Sequence, residues 1–173
     1  MVLAKGQGRP VHTHEWFMLQ ALKEAYKARS KNESPVGAVI VKDGSIIARG
    51  HNEKELKNDS TLHAEMTAVK KASKKLGSWR LNECDIYVTL EPCTMCAGAL
   101  IQARLRHLYI GTPDPKAGAA GSVLNVLQID SFNHKVEVTY GLLEEQCSGI
   151  LKDFFRELRA KKKGQDSSEG EIH

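Results

Sequence analysis

The hydrophobic and polar positions of the chain follow two different periods in its first fifty residues. Between His14 and Arg29, apolar side chains recur at helical spacing, and Thr13 stands in front of them as a helix-capping residue. Two short apolar runs follow, over 36–41 and 45–49, with Asp43-Gly44 between them. Since Asp-Gly fits the tight turn of a hairpin, this segment predicts a helix followed by two antiparallel strands.

The rest of the pattern alternates between helices and strands. It predicts, in chain order, a helix over 63–76, a strand over 85–90, a helix over 94–103, strands over 106–111 and 135–140, and a final helix over 142–161. Prolines and glycines concentrate between 112 and 122, which indicates an extended loop. Alternation of this kind predicts an α/β fold in which helices cover both faces of one central mixed sheet, a three-layer α/β/α sandwich.

Length and composition are those of one soluble domain. The chain has 173 residues, of which 41% are hydrophobic and 27% are charged. No run approaches the ~20 apolar residues of a membrane span, and the N-terminus lacks the apolar segment of a secretory signal. We therefore expect a cytoplasmic protein with no membrane partner. The predicted divisions are a flexible lead-in over 1–12, a folded domain over 13–160 and a disordered polar tail over 161–173.

Two cysteines and a histidine form the pattern that carries chemistry. Cys93 and Cys96 lie three residues apart at the start of a predicted helix, and His63 begins another helix. This spacing places both sulfur atoms on one helical face, where the positive end of the helix dipole favours thiolates. Because two thiolates and one imidazole suit Zn²⁺, we expect one zinc ion per subunit.

The same pattern predicts a catalytic site, because three protein ligands leave a fourth tetrahedral position for water. Glu65 lies two residues beyond His63, where a carboxylate could take a proton from that water and deliver it to a substrate. A C-x-x-C pair alone would fit a redox pair or half of a structural zinc site equally well. A closed structural site would need a fourth ligand, for which Cys84, His107 and His51 are the candidates.

The chain resembles the bacterial tRNA-specific adenosine deaminases, since H-x-E followed by P-C-x-x-C is a signature of zinc deaminases. The resemblance runs from about residue 16 to residue 159. Besides the zinc pattern, it rests on PVGAVIV at 35–41, GHN at 50–52, LGSWRL at 76–81, YVTLEPCTMCAGAL at 87–100, DPKAGAAGS at 114–122, NH at 133–134 and FFRELR at 154–159. It implies a cytidine deaminase-like fold, a homodimer and a tRNA anticodon stem-loop as the partner.

The resemblance also implies a reaction, the hydrolytic deamination of adenosine to inosine at the wobble position of a tRNA anticodon. Arginine tRNA is the expected substrate. His63, Cys93 and Cys96 would hold the zinc ion, a zinc-bound hydroxide would attack C6 of adenine, and Glu65 would act as the proton shuttle.

The resemblance further assigns substrate contacts outside the zinc site. Asn52 and the backbone N–H of Ala64 would contact the target base, and Pro35 and Val36 would form an apolar wall of its pocket. The predicted contacts to the anticodon loop are Asp114, Lys116, Phe155, Arg156 and Arg159. Structural explanations stay open for these residues: capping for Asn52, strand packing for Pro35 and Val36, and loop packing or solvent exposure for the rest.

Other functions fit part of the pattern. The same zinc chemistry serves deaminases of free bases and nucleosides, such as guanine, cytidine or deoxycytidylate, and an enzyme of that kind is the alternative. A non-catalytic RNA-binding subunit is disfavoured, because such chains typically lose the carboxylate that Glu65 provides. Cys84 and Cys147 are expected to be buried side chains rather than ligands.

The net charge of +4 is unevenly distributed along the chain. Residues 33–99, which hold the predicted zinc site, carry nine basic and nine acidic side chains, whereas residues 152–163 carry six basic and two acidic ones. A neutral catalytic centre beside a basic segment is typical of an enzyme that holds a phosphate-bearing substrate outside its pocket. We therefore expect RNA binding to weaken as salt rises.

Overall fold

The computed structural model describes residues 11–169, with side chains as far as residue 164. Its helices are α1 (His14–Ser30), α2 (Lys54–Lys57), α3 (Ala64–Leu76), α4 (Thr94–Gln102) and α5 (Glu144–Glu169), and Val126–Gln128 form a short 3-10 helix. The strands are β1 (Gly37–Lys42), β2 (Ser45–His51), β3 (Cys84–Leu90), β4 (His107–Thr112) and β5 (Glu137–Thr139). They form one sheet in the order β2-β1-β3-β4-β5.

The sheet is mixed, as the sequence predicts. β1 is antiparallel to β2 and β3, whereas β3, β4 and β5 run parallel. The turn between β1 and β2 uses Asp43 at φ 49° and Gly44 at φ 69°, the left-handed pair that a two-residue hairpin requires. With these directions, the start of β1 and the ends of β2, β3 and β4 all lie at one edge of the sheet. The segments that leave this edge form the candidate site.

Helices cover both faces of the sheet and complete the three predicted layers. On one face, α1 and α5 pack over Val39, Val41 and Tyr87. α1 lies so close to β1 that a Cβ atom on Gly37 would lie 2.0 Å from the carbonyl oxygen of Ala21. On the other face, α3 and α4 cover the alternate strand residues, which are fully buried: Ala38, Ile40, Ile86, Val88, Leu108 and Ile110.

The predicted elements are present, but the last helix ends later than expected. α5 continues to Glu169, so residues 161–169 are helical rather than part of a disordered tail. Lys, Gln and Glu favour the helical backbone, and a helix that is already nucleated by packing can extend through them at little cost. Residues 170–173 of the predicted tail and 1–10 of the predicted lead-in lie outside the described residues. No helix in the described part of the chain is both long and apolar enough to cross a membrane.

Candidate active site

The N-termini of α3 and α4 meet at the edge of the sheet where β2, β3 and β4 end, and they bring the predicted metal ligands together. His63 directly precedes α3, Cys93 directly precedes α4, and Cys96 lies in the first turn of α4. The Nδ1 atom of His63 lies 3.7 Å from the Sγ atom of Cys93 and 3.5 Å from that of Cys96. All three donor atoms lie within 4.8 Å of one another. The sequence prediction that these residues meet is therefore fulfilled.

The spacing of the donor atoms fits a tetrahedral zinc ion. Zinc lies ~2.3 Å from sulfur and ~2.0–2.1 Å from nitrogen, and tetrahedral angles then place the two donors about 3.6 Å apart. Both nitrogen–sulfur distances in the cluster are within about 0.1 Å of that value. Soft sulfur donors also favour zinc over magnesium or calcium.

The candidates for a fourth protein ligand are held away from the cluster. Cys84 begins β3, at the opposite end of the strand from the metal donors. His107 stacks on the ring of Tyr109, and the Nδ1 atom of His51 lies 3.1 Å from the carboxylate of Glu24. Among the described residues, the group that could hold a metal ion consists of His63, Cys93 and Cys96. This is the ligand count of a catalytic site rather than a structural one.

Close contacts shift the proton affinities of the three donors. Hydrogen bonds from Cys96 and His63 lower the pKa of the Cys93 thiol, which favours its thiolate form. Cys96 and His63 each form a hydrogen bond with Cys93, and these bonds raise the pKa of the Cys96 thiol and of the His63 imidazole. The cluster therefore carries protons that a divalent cation would displace on binding, as metal sites with thiol ligands do.

Glu65 lies beside the metal donors, in the first turn of α3. Its side chain faces the adjoining cavity but is only 4% exposed, and this burial raises the pKa of its carboxyl group to about 7. A carboxyl group with a pKa near neutrality can both accept and release a proton, which general acid–base catalysis requires.

A cavity of about 850 Å³ adjoins the metal donors and holds most of the predicted site residues. Those that line it are Val36, Asn52, His63, Glu65, Cys93, Asp114, Lys116, Phe155 and Arg159. The cavity is bounded by the start of β1, the segment after β2, the loop after β4 and one face of α5. Elements distant in sequence thus build one concave surface around the donors.

The other predicted site residues do not reach the cavity surface. Cys96, Ala64 and Pro35 are buried, so the predicted apolar wall includes Val36 but not Pro35. Arg156 points elsewhere, and its guanidinium pairs with Asp153 one helical turn away at 2.7 Å. Pro35 and Arg156 are thus not among the residues that line the cavity, and the substrate contacts predicted for them stay predictions.

Asn52 has a structural contact as well as a place in the cavity. Its Oδ1 atom accepts a hydrogen bond from the backbone N–H of Ala64 at 2.9 Å. Asn52 thereby caps α3, a task that His63 does not perform although it occupies the capping position. The Ala64 N–H that was predicted to meet a base is engaged by Asn52 in this structure. The amide nitrogen of Asn52 is left as the group that can donate to a ligand.

A buried carboxylate at the cavity was not predicted from the sequence. Glu91 is 2% exposed and accepts hydrogen bonds from three backbone N–H groups of the 112–122 loop. A partial signal was available, because Glu91 directly follows an apolar strand, and an acidic residue that is buried at such a place needs hydrogen-bond donors around it. Lys54 and Lys152, which also line the cavity, were not predicted either.

The fold and the site together define a deaminase. The family model of the MafB19-like deaminases matches residues 12–159 of the chain. The tRNA-specific adenosine deaminase of Bacillus subtilis (strain 168) is 52% identical over 149 residues, which cover 86% of this chain and 92% of that protein. That of Aquifex aeolicus (strain VF5) is 46% identical, over 84% of this chain and 95% of that protein. The chain belongs to the family of tRNA-specific adenosine deaminases, as its motifs predict.

Solved structures support the same assignment of the fold. One, from a study of A-to-I editing by tRNA:A34 deaminases at the wobble position, superposes with a TM-score of 0.76 at 46% identity. That comparison covers 79% of this chain and 99% of the other. A guanine deaminase from Bacillus subtilis superposes with a TM-score of 0.59 at 34% identity, over 86% of this chain and 95% of that one. The predicted α/β sandwich with a cytidine deaminase-like arrangement is thus confirmed.

Proposed function

We propose that the protein is a zinc-dependent deaminase that converts adenosine to inosine at the wobble position of a tRNA anticodon. The observation that carries this proposal is the meeting of His63, Cys93, Cys96 and Glu65 at one cavity. Relatives that share about half of the sequence are named as tRNA-specific adenosine deaminases. The reaction expected of such a site is the replacement of the adenine amino group by oxygen, with ammonia as the second product.

The cavity has the composition that an unstacked base requires. Val36 and Leu90 offer apolar side chains for the faces of the ring, and Asn52 offers an amide for its edge. A base in a single-stranded loop can be turned out of its stack at lower cost than one in a duplex. An adenosine of an anticodon loop therefore suits both the cavity and the chemistry.

His63, Cys93 and Cys96 would hold the zinc ion. When bound, zinc lowers the pKa of a coordinated water toward ~7 and so supplies the attacking oxygen. Glu65 would accept the proton that this water gives up and deliver it to N1 of the ring. The same carboxylate would then take a second proton, from the hydroxyl group now on C6, and pass it to the amino group, which would leave as ammonia while the C6 oxygen becomes a carbonyl. Its pKa of about 7 suits both directions of transfer.

The rest of the cavity would orient the nucleotide. Phe155, with 41% of its side chain exposed, offers an aromatic face on which a neighbouring base could stack. Lys116 and Arg159 place positive charge at the cavity, where the phosphates of an extruded nucleotide would lie. These contacts would fix the register of the loop, while the buried centre carries out the reaction.

We also propose that two copies of the chain associate, as the family resemblance implies. Leu56, Trp79, Val123 and Leu124 are each more than half exposed and would be available for such a contact. Sedimentation equilibrium would test this, since a homodimer gives twice the chain mass at micromolar concentration. A tRNA substrate would place the enzyme in the cytoplasm.

The decisive experiment for the reaction uses the purified, zinc-loaded protein and total tRNA. Mapping of inosine by sequencing should show conversion at wobble adenosines with the wild type and none with Glu65→Ala. The alternative, deamination of a free base, is kept because a guanine deaminase shares the fold at 34% identity. Turnover of guanine or cytidine without any conversion of tRNA would overturn the proposal in favour of that alternative.

A further inference from the structure

Glu91 is a buried carboxylate whose hydrogen bonds converge on the 112–122 loop. Its Oε1 atom accepts the backbone N–H groups of Ala120 and Ser122, each at 3.0 Å. Its Oε2 atom accepts the N–H of Asp114 at 2.9 Å and the hydroxyl of Ser122. The hydroxyl of Tyr140, directly after β5, also lies 3.4 Å from Oε1, so the donors to Glu91 come mainly from this loop and in part from the segment after β5.

The loop is also fastened to the backbone on either side of this carboxylate. The N–H of Glu91 donates to the carbonyl of Thr112 at 2.9 Å, and the N–H of Ala119 donates to the carbonyl of Pro92 at 2.8 Å. A Cβ atom on Gly118 would lie 2.4 Å from the Glu91 carboxylate. The loop thus wraps closely around the residue that stands two positions before the metal donor Cys93.

The same loop presents side chains to the cavity. Asp114 and Lys116 both line it. The Oδ1 atom of Asp114 accepts the backbone N–H groups of Lys116 and Ala117, at 3.0 and 3.2 Å. Asp114 is itself held by Glu91, so the position of Lys116 depends on a chain of hydrogen bonds that begins next to a metal donor.

We infer that Glu91 is a positioning residue for substrate recognition: it fixes the cavity side of the 112–122 loop relative to the helix that carries the metal donors. This inference rests on the proposed function, because the ligand that the loop would meet is an RNA loop. Glu91 acts through the backbone of the loop and takes no part in proton transfer. Its expected effect is on the binding of the stem-loop rather than on the chemical step.

Electrostatics alone predicts that loss of the Glu91 charge strengthens RNA binding, whereas the positioning role predicts weaker binding. The sign of the change therefore tests the inference. Glu91 lines a cavity that would receive phosphates, so removal of its negative charge should strengthen RNA binding on electrostatic grounds. Glu91→Gln keeps the shape of the side chain but turns one acceptor into an NH₂ group that faces N–H donors. If Glu91 positions the loop, the variant binds RNA more weakly despite the gain of positive charge.

The experiment compares the zinc-loaded Glu91→Gln variant with the wild type on an anticodon stem-loop that contains the wobble adenosine. The KM should rise by about tenfold, since at least one charge-assisted hydrogen bond is lost, while kcat stays within about twofold. Bound zinc should be unchanged. The matched control is Glu83→Gln, which removes the same charge from a side chain that is 70% exposed and pairs with Lys42. This control should leave KM unchanged or slightly lowered.

Two further measurements keep the test decisive if Glu91→Gln folds poorly. Ser122→Ala removes one donor to the carboxylate and should raise KM in the same direction by a smaller factor. Amide hydrogen exchange in either variant should become about tenfold faster at residues 114, 120 and 122, while exchange in α4 stays slow.

The outcomes separate this inference from the proposed function. Loss of zinc, a fall in kcat at constant KM, or an unchanged or lowered KM in Glu91→Gln would each overturn the positioning role. A wild-type protein that does not deaminate the stem-loop would instead refute the proposed function. In that case the exchange of the loop amides still tells whether Glu91 holds the loop.

Discussion

The metal centre and the rim of the cavity are built in different ways. The metal centre, His63, Cys93, Cys96 and Glu65, comes from the first turns of two helices whose backbones fix the donors directly. The rim, by which we mean segments 52–57 and 112–117 and the cavity face of α5, consists mainly of loops and exposed side chains. The reacting groups are thus encoded by short motifs, whereas the recognition surface depends on contacts between distant segments.

Buried carboxylates provide those distant contacts. Glu91 holds the 112–122 loop, and Glu33, which is 1% exposed, accepts the backbone N–H of Leu56 in α2 at 2.6 Å. Glu24 in α1 faces His51, the residue before Asn52. Each buried acid lies far in sequence from the segment that it holds, so a change in one of them should alter the rim and leave the metal centre intact. Single substitutions should therefore separate the function of the rim from that of the metal centre.

The largest effect is expected from removal of a metal donor. Cys96→Ala should abolish both zinc binding and turnover, because two remaining donors hold the ion too weakly and the buried cluster loses its cross-link. Metal content by atomic emission, together with thermal unfolding, measures this directly. Cys84→Ala is the control, since Cys84 is equally buried but lies away from the donors. Equal zinc content in the two variants would show that the donor set is wrong.

The next largest effect separates chemistry from metal binding. Glu65→Gln should reduce kcat by about 10²–10⁴-fold, the usual contribution of a general acid–base, while zinc content and RNA affinity stay close to those of the wild type. Single-turnover assays with excess enzyme measure the chemical step without product release. Glu83→Gln serves here too as the control for loss of a carboxylate. Retained activity in Glu65→Gln would remove this residue from the mechanism.

The difference between the two regions also explains how far the sequence alone could lead. The helices and strands around the metal centre follow from hydrophobic period, from Thr13 and Gly77 as caps and from the Asp43-Gly44 turn, and the structure has all of them. The pairing of Cys93 with Cys96 could be predicted because residues three positions apart are neighbours on one face of a helix.

The rim could not be predicted in the same way. The hydrogen bonds from the 112–122 loop to the Glu91 carboxylate join residues 23 to 31 positions apart, and no local sequence pattern indicates such pairings. Which residues of α5 line the cavity, Phe155 and Arg159 but not Arg156, likewise depends on how α5 packs against the sheet. The continuation of α5 to Glu169 reflects helix propagation beyond its packed part, which an apolar stripe does not record.

Asn52 belongs to both regions, and two variants can divide its roles. Asn52→Asp keeps an oxygen that can accept the N–H of Ala64, so it should retain the cap of α3 and most of the stability. It loses the amide donor and should raise KM for the stem-loop. Asn52→Ala should lose both the cap of α3 and the amide donor, so that its free energy of unfolding falls by about 1 kcal/mol relative to the wild type. Denaturant titrations and steady-state kinetics measure the two effects, and identical KM values for Asn52→Asp and the wild type would leave Asn52 as a cap alone.

Phe155 and Arg156 are neighbours on α5, but their substitution should affect the affinity for the stem-loop to different extents. Phe155 lines the cavity, whereas Arg156 pairs with Asp153 and does not. Phe155→Ala should weaken binding of the stem-loop by about 1–3 kcal/mol, the usual value for a lost base–aromatic stack. Arg156→Ala should change it by less than about 0.5 kcal/mol. Fluorescence anisotropy with a labelled stem-loop measures both, and a larger loss for Arg156→Ala would support the RNA contact that the sequence predicts for Arg156.

The smallest effect concerns the charge of the rim and its response to salt. Lys116 and Arg159 line the cavity, so each phosphate that they neutralise should contribute about 0.7 to the slope of log affinity against log salt for a single-stranded loop. Lys116→Ala should therefore lower the slope by about that amount. Zinc content should stay constant across the same salt range, because the buried donors are screened far less than exposed lysines. A slope that does not change in Lys116→Ala would mean that this part of the rim meets the base, or solvent, rather than the phosphate backbone.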